Sequence, residues 1–162
     1  MSAPAPINPY ASPVAEEPQL SAGDGAAPPL YSATAVSIAT FFGSLAAGAV
    51  IMAINYARCG RPSAAWWTIG LGLLATLAFM AGASYLPDDF PALILAGVQT
   101  VAAHVVATRL QQSLIEDHLA RGGKLASSWW AFGISLIVAV VILGLVLIVL
   151  LALPAEWLGE EL

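Results

Sequence analysis

The sequence predicts an all-α membrane protein with four transmembrane helices, and its composition and hydropathy pattern carry that prediction. Of the 162 residues, 59% are hydrophobic and only 9% are charged, against about 25% charged in an average soluble domain. Four uncharged runs, at 31–57, 62–87, 90–108 and 125–155, each reach the roughly 18 to 20 residues that cross a hydrocarbon core. Such runs favour helices, because a helix satisfies its own backbone groups in lipid.

The first 30 residues differ from the rest of the chain. They hold seven of the eleven prolines among Ala, Ser, Gly and Glu, with few branched apolar side chains. A segment of this kind buries too little apolar surface to offset the entropy of ordering. We therefore expect residues 1–30 to form a disordered tail.

Residues 31–157 are predicted to form the transmembrane domain, followed by a short acidic C-terminus at 158–162. The expected spans are about 34–56, 64–86, 90–108 and 129–153. After the third span, Leu110, Leu114, Ile115 and Leu119 recur at nearly helical spacing, whereas Gln111, Gln112, Glu116 and Asp117 occupy other positions. This pattern predicts an amphipathic cytoplasmic helix over about 109–121 that Gly122 and Gly123 end.

All five cations fall in two short connections, which contain Arg58, Arg61, Arg109, Arg121 and Lys124. By the positive-inside rule both connections are cytoplasmic. With four spans, the N-terminus and the C-terminus are then both expected outside. The formal charge of -5 excludes nucleic acid as an expected partner, because phosphate binding needs an excess of cations.

A gapless match between 60–71 and 123–134 aligns a Gly, a Trp pair and a second Gly in each segment. One interpretation is a tandem repeat of two parallel helical hairpins, related by an axis along the membrane normal. The other interpretation is that any cytoplasmic loop leading into a span has this composition. The sequence leaves both open.

Small and hydroxyl side chains recur at four-residue spacing in the first three spans, which favours close helix packing. The candidate packing residues are Thr40, Ser44, Gly48, Gly72, Thr76, Ala96 and Thr100. The expected spans contain no Asp, Glu, Lys or Arg, so the candidates for a polar seam across the bundle are Asn55, Gln99 and His104.

No motif for catalysis, metal binding or phosphate binding is found, so we expect no enzyme, no metal and no cofactor. Glu116, Asp117 and His118 are adjacent on a helix, and their side chains diverge by about 100° at each step. His104 is the single candidate for a haem or quinone site, whose second ligand would have to come from another chain.

The segment Asn8-Pro9-Tyr10, the run from Ala39 to Gly48 leading to Asn55-Tyr56, and the Trp pair before the fourth span carry a resemblance. Together with Ile115 to His118 and Gly122-Gly123, they are similar to small uncharacterised bacterial inner-membrane proteins with an N-terminal Asn-Pro-Tyr tail. The resemblance implies a multi-pass protein of the bacterial inner membrane. It implies no activity and no site residues.

The expected function is therefore non-enzymatic: helix–helix association as an accessory subunit or assembly factor of a membrane complex. The expected partners are the lipid bilayer and other membrane subunits or further copies of the chain. One alternative is a small channel or transporter that uses the seam of Asn55, Gln99 and His104. A second alternative is a haem-binding or quinone-binding subunit that uses His104.

Overall fold

The computed structural model describes residues 27–152, and these are helical apart from short connections and one isolated bridge. The helices are α1 (Ala33–Arg58), α2 (Pro62–Ala83), α3 (Ala92–Ala120) and α4 (Ser128–Ala152). Counted along the chain, each of the four has the length and apolar composition of a membrane span. The predicted all-α class with four apolar helices is therefore confirmed.

Local sequence accounts for where these helices begin and end. The Ser32 side chain caps α1 by accepting a hydrogen bond from the Ala35 N–H at 3.2 Å. Pro62 occupies the first position of α2, where a missing N–H costs nothing. Gly122 follows α3 with a φ of +80°, and the Gly123 N–H donates to the His118 carbonyl at 2.9 Å. This is the glycine-dependent helix end that the sequence predicts.

The helix α1 reverses its direction at Ser44, which has a φ of 81° and a ψ of 174°. The Tyr31 N–H, just before the helix, donates to Asn55 Oδ1 near its other end at 2.7 Å. A straight helix would separate these two positions by roughly 36 Å at 1.5 Å per residue. The helix therefore consists of two antiparallel arms, residues 33–43 and residues 45–58, which together we call the hairpin.

Small side chains let the two arms approach each other. A Cβ added at Gly48 would overlap Thr40 Oγ1 of the opposite arm, and one at Gly43 would lie 2.7 Å from the Ala47 Cβ. Each arm is roughly 16 to 21 Å long at 1.5 Å per residue. Neither arm is long enough to cross a hydrocarbon core of about 30 Å.

The hairpin forms the centre of the fold. In its most apolar window 56% of the residues are buried, against 17% in α2 and 6% in each of α3 and α4. The three outer helices each pack against α1 and make few contacts with one another. The packing core of the described residues therefore consists largely of the small side chains of α1.

Both ends of the hairpin lie at the same end of the bundle, which we call the open end of the hairpin. There, the Leu30 N–H donates to the Lys124 carbonyl at 3.1 Å, and the Ala126 N–H donates to the Leu30 carbonyl at 2.8 Å. The segment before α1 is thus joined to the segment before α4. The α1–α2 connection and the α3–α4 connection both lie at this end.

This architecture differs from the sequence-based expectation in two respects. The first apolar segment, expected as a straight span over 34–56, folds back because Ser44 adopts a conformation outside the helical region. The interpretation of the sequence as two similar tandem hairpins is not supported, because α3 continues without reversal through Ala120 whereas α1 turns at its middle. The expected tail falls largely on residues 1–26, and the acidic C-terminus on 158–162; these lie outside the described residues.

Candidate functional site

A buried cluster of polar side chains lies at the open end of the hairpin. Asn55 Nδ2 donates to the Tyr31 carbonyl at 2.8 Å and to Gln111 Oε1 at 2.9 Å. Gln111 Nε2 in turn donates to the Met52 carbonyl at 2.8 Å. Asn55 and Gln111 are both completely buried. Two amides therefore join the second arm of α1 both to α3 and to the segment just before α1.

The burial of Gln111 departs from the amphipathic pattern in the sequence, which groups Gln111 with the exposed Gln112, Glu116 and Asp117. Gln111 and His118 face the protein interior, whereas Leu110 and Leu119 are 58% and 42% exposed. Gln111 continues the buried face that starts with the small residues Ala103 and Ala107, at a spacing of four. That spacing is the signal in the sequence that could have identified Gln111 as buried.

Thr40, Ser44 and Gly48, expected on one face of a continuous helix, have separate roles in the hairpin. Ser44 is the reversal point, and its buried hydroxyl has no hydrogen-bond partner among the described residues. Gly48 lies against Thr40, so its close approach is to its own chain. The Thr40 hydroxyl donates to the Val36 carbonyl at 3.0 Å.

The remaining candidate packing residues lie on α2 and α3. A Cβ at Gly72 would overlap the Ala49 Cβ, so α2 approaches the second arm closely here. The Thr76 hydroxyl donates to the Gly72 carbonyl at 2.9 Å, and the Thr100 hydroxyl donates to the Ala96 carbonyl at 2.7 Å. These hydroxyls satisfy their donors within their own helices. Ala96 and Thr100 are half-buried.

The three residues of the candidate polar seam lie at different heights along the hairpin. Asn55 is at the open end beside Gln111. His104 Nδ1 lies 2.9 Å from the Ser37 hydroxyl of the first arm. Gln99 lines a surface depression beside Phe41, Phe42 and the reversal at Ser44. Since α3 is continuous, Gln99 and Gln111 are roughly 18 Å apart along its axis, and the structure does not bring the three together.

An apolar groove of about 340 Å³ opens between α2 and α3. Its floor is the hairpin, which contributes Leu45, Gly48, Ala49 and Met52, and its lips include Ala75 and Val106. Thr68 is the only hydroxyl side chain among the lining residues, and it donates to the Ala64 carbonyl at 2.7 Å. The groove can therefore accommodate an apolar side chain or chain segment. Among these lining residues it offers a polar solute no side-chain hydrogen-bond donor that is free of a partner.

The described residues contain no group of three His, Cys, Asp or Glu side chains that could hold a metal ion. His118 is buried, and its ring lies against Gly123, where an added Cβ would overlap it. Its Nε2 has no hydrogen-bond partner within residues 27–152. One isolated histidine supplies too few ligands for a cation.

Neither a family model, nor a curated protein, nor a solved structure matches this chain.

Proposed function

We propose that this chain is a non-enzymatic, multi-pass membrane protein that acts by helix–helix association, as an accessory subunit or assembly factor of a bacterial inner-membrane complex. One observation carries the proposal: α2, α3 and α4 pack on α1 and make few contacts with one another. Spans in a self-contained bundle also pack against their neighbours. The open flanks of the outer helices therefore favour completion by further helices.

The groove between α2 and α3 is the favoured contact surface, and its favoured occupant is a transmembrane helix of a partner subunit. Small side chains line both of its walls and its floor, among them Gly72, Ala75 and Ala102. Small residues let two helix backbones approach closely, and close approach drives helix association where lipid removes the hydrophobic driving force. A second copy of the chain is the other possible source of such a helix.

The charge distribution supports an N-terminus on the cytoplasmic side and a C-terminus outside, in place of the N-out arrangement expected from four straight spans. Arg58 ends α1, and Arg61, Arg121 and Lys124 lie in the two connections at the open end of the hairpin, whereas Arg109 lies within α3. Positive connections remain in the cytoplasm. The exposed Trp pairs at the starts of α2 and α4 belong to the same interface.

The experiment compares Ala75→Leu with Ala81→Leu in the full-length chain. Both alanines are exposed on α2, but only Ala75 lines the groove. We expect mild-detergent purification of the wild type to retain membrane subunits in stoichiometric amount, identified by mass spectrometry. Ala75→Leu should reduce that retention at least fivefold because it fills the groove, and Ala81→Leu should leave it unchanged.

Purification of a single chain species with no co-purifying subunit would contradict the accessory role. If the purified protein is then a homo-oligomer that Ala75→Leu dissociates, the groove binds a second copy instead. Equal loss of partners in Ala75→Leu and Ala81→Leu would contradict the assignment of the groove. A visible absorbance band that disappears in His104→Ala would favour the haem alternative over association.

A further inference from the structure

A second cavity, of about 650 Å³, lies at the open end of the hairpin, between the segment before α1 and the start of α4. Its walls include Arg58, Lys124, Tyr31, Trp130 and Ile134, and we call it the basic cleft. Two cations face one cavity, and no acidic side chain belongs to its lining among the described residues. This composition favours an anionic ligand.

Arg58 contacts two groups of its own chain beside the basic cleft. Its guanidinium donates to the Pro29 carbonyl and lies 5.3 Å above the centroid of the Tyr31 ring. Tyr31 is only 4% exposed, and Asn55 holds its backbone on both sides. An arginine carries five N–H donors. The contact to Pro29 therefore leaves further donors for an acceptor in the cleft.

Lys124 is brought to the same cavity by the backbone. The hydrogen bonds between Leu30 and the segment Lys124–Ala126 hold the two walls of the cleft together. These bonds connect residues almost 100 positions apart in sequence, so the pairing of Arg58 with Lys124 is a product of the fold. The start of α4 adds the partial positive charge of a helix N-terminus.

The composition of the cleft changes along α4. Lys124 precedes the helix, whereas Trp130 and Ile134 lie in its first two turns, on the side that enters the apolar region. Trp130 is 70% exposed, which is typical of a tryptophan at the level of lipid headgroups. A ligand that fills this cleft has an anionic part beside the cations and an apolar part beside Ile134.

We propose that the basic cleft binds the phosphate headgroup of an anionic phospholipid, whose acyl chains continue along α4. Basic pockets between transmembrane helices at the cytoplasmic face are known to take such headgroups. Assignment to the cytoplasmic leaflet depends on the orientation proposed above. Binding itself does not depend on the groove between α2 and α3.

The test is native mass spectrometry of the full-length protein with phosphatidylglycerol and phosphatidylcholine of identical acyl chains. We expect the wild type to retain one phosphatidylglycerol at least tenfold better than phosphatidylcholine. Lys124→Gln should lower that ratio about fivefold, because each cation near an anionic lipid surface contributes about that factor. Arg121→Gln, which removes a cation outside the lining, should leave the ratio within twofold.

Equal retention of the two lipids by the wild type, or equal effects of Lys124→Gln and Arg121→Gln, would overturn the proposal. Addition of inorganic phosphate distinguishes a lipid site from a simple anion site. Displacement of phosphatidylglycerol by millimolar phosphate would show that the cleft recognises the anion alone, and would also overturn it. Circular dichroism of each variant checks the fold, and Arg58→Gln provides a second removal of charge. Loss of lipid selectivity with intact partner retention separates this proposal from the proposed function.

Discussion

Asn55 at the end of α1 and Gln111 in α3 are 56 residues apart in sequence, and they share a buried hydrogen bond of 2.9 Å. Each amide also bonds to backbone: Asn55 to Tyr31, and Gln111 to the Met52 carbonyl. Through these bonds one pair of side chains connects the start of the hairpin, its end and an outer span. The cluster therefore holds the hairpin closed at the same end as the cationic connections.

Gln111→Leu should destabilise the protein by about 1–3 kcal/mol. The substitution removes the Oε1 acceptor of the buried Asn55 Nδ2, so that hydrogen bond is lost. Gln112→Leu is the matched control, since Gln112 is exposed and bonds only to Glu116 among the described residues. We expect that change to stay within about 0.5 kcal/mol. Denaturant or thermal unfolding in one detergent measures both. Equal effects of the two substitutions would contradict the buried cluster.

Ser44→Gly should stabilise the protein by roughly 1 kcal/mol, because it relieves an unfavourable backbone conformation. The conformation of Ser44, with a φ of 81° and a ψ of 174°, is one that is essentially restricted to glycine. Glycine also removes the buried hydroxyl that lacks a partner within the described residues. Ser44→Ala removes the hydroxyl but keeps the Cβ, so its gain should be smaller.

The same substitution distinguishes a reversed α1 from a continuous one. In the middle of a continuous helix, Ser44→Gly would destabilise by about 0.5 kcal/mol, because glycine has the greater conformational entropy to lose. The sign of the change in unfolding free energy is therefore the result to measure. A loss of stability would contradict the hairpin.

Gly48→Leu should destabilise the protein by about 1–3 kcal/mol or more. Even a Cβ at this position would overlap Thr40 Oγ1. Gly70→Leu is the matched control, since an added Cβ there meets nothing within 4 Å. A rescue pair makes the assignment specific: Gly48→Ala should cost less in a Thr40→Ala background, where the overlapping oxygen is gone. Double-mutant analysis of unfolding free energies measures this coupling. Independent effects would place Gly48 away from Thr40.

Cysteine labelling tests the orientation of the chain. In a Cys59→Ser background, Ala27→Cys precedes the hairpin and Asp88→Cys lies in the α2–α3 connection; both positions are exposed. We expect an impermeant maleimide to label Asp88→Cys in intact cells, and to label Ala27→Cys only after permeabilisation. Labelling of both positions in intact cells would restore the expected N-out arrangement.

The sequence by itself determined the all-α class, the four apolar segments and the concentration of Arg58, Arg61, Arg121 and Lys124 around two connections. These are local properties, since hydropathy, proline positions and capping residues act within one or two helical turns. The end of α3 at Gly122 is another local property. A residue with a positive φ is needed at that position whatever packs nearby.

Only the tertiary structure decided the direction of the chain within α1, the burial of Gln111 and the meeting of Arg58 with Lys124 at one cleft. A hydropathy window has the same value for a straight span and for two antiparallel arms, so it cannot detect the reversal at Ser44. The reversal is stabilised by contacts between the two arms and their ends, such as Thr40 with Gly48 and Tyr31 with Asn55, which a straight helix would hold apart. Gln111 is buried because it finds amide and carbonyl partners on α1, and a polar side chain without such partners would remain at the surface.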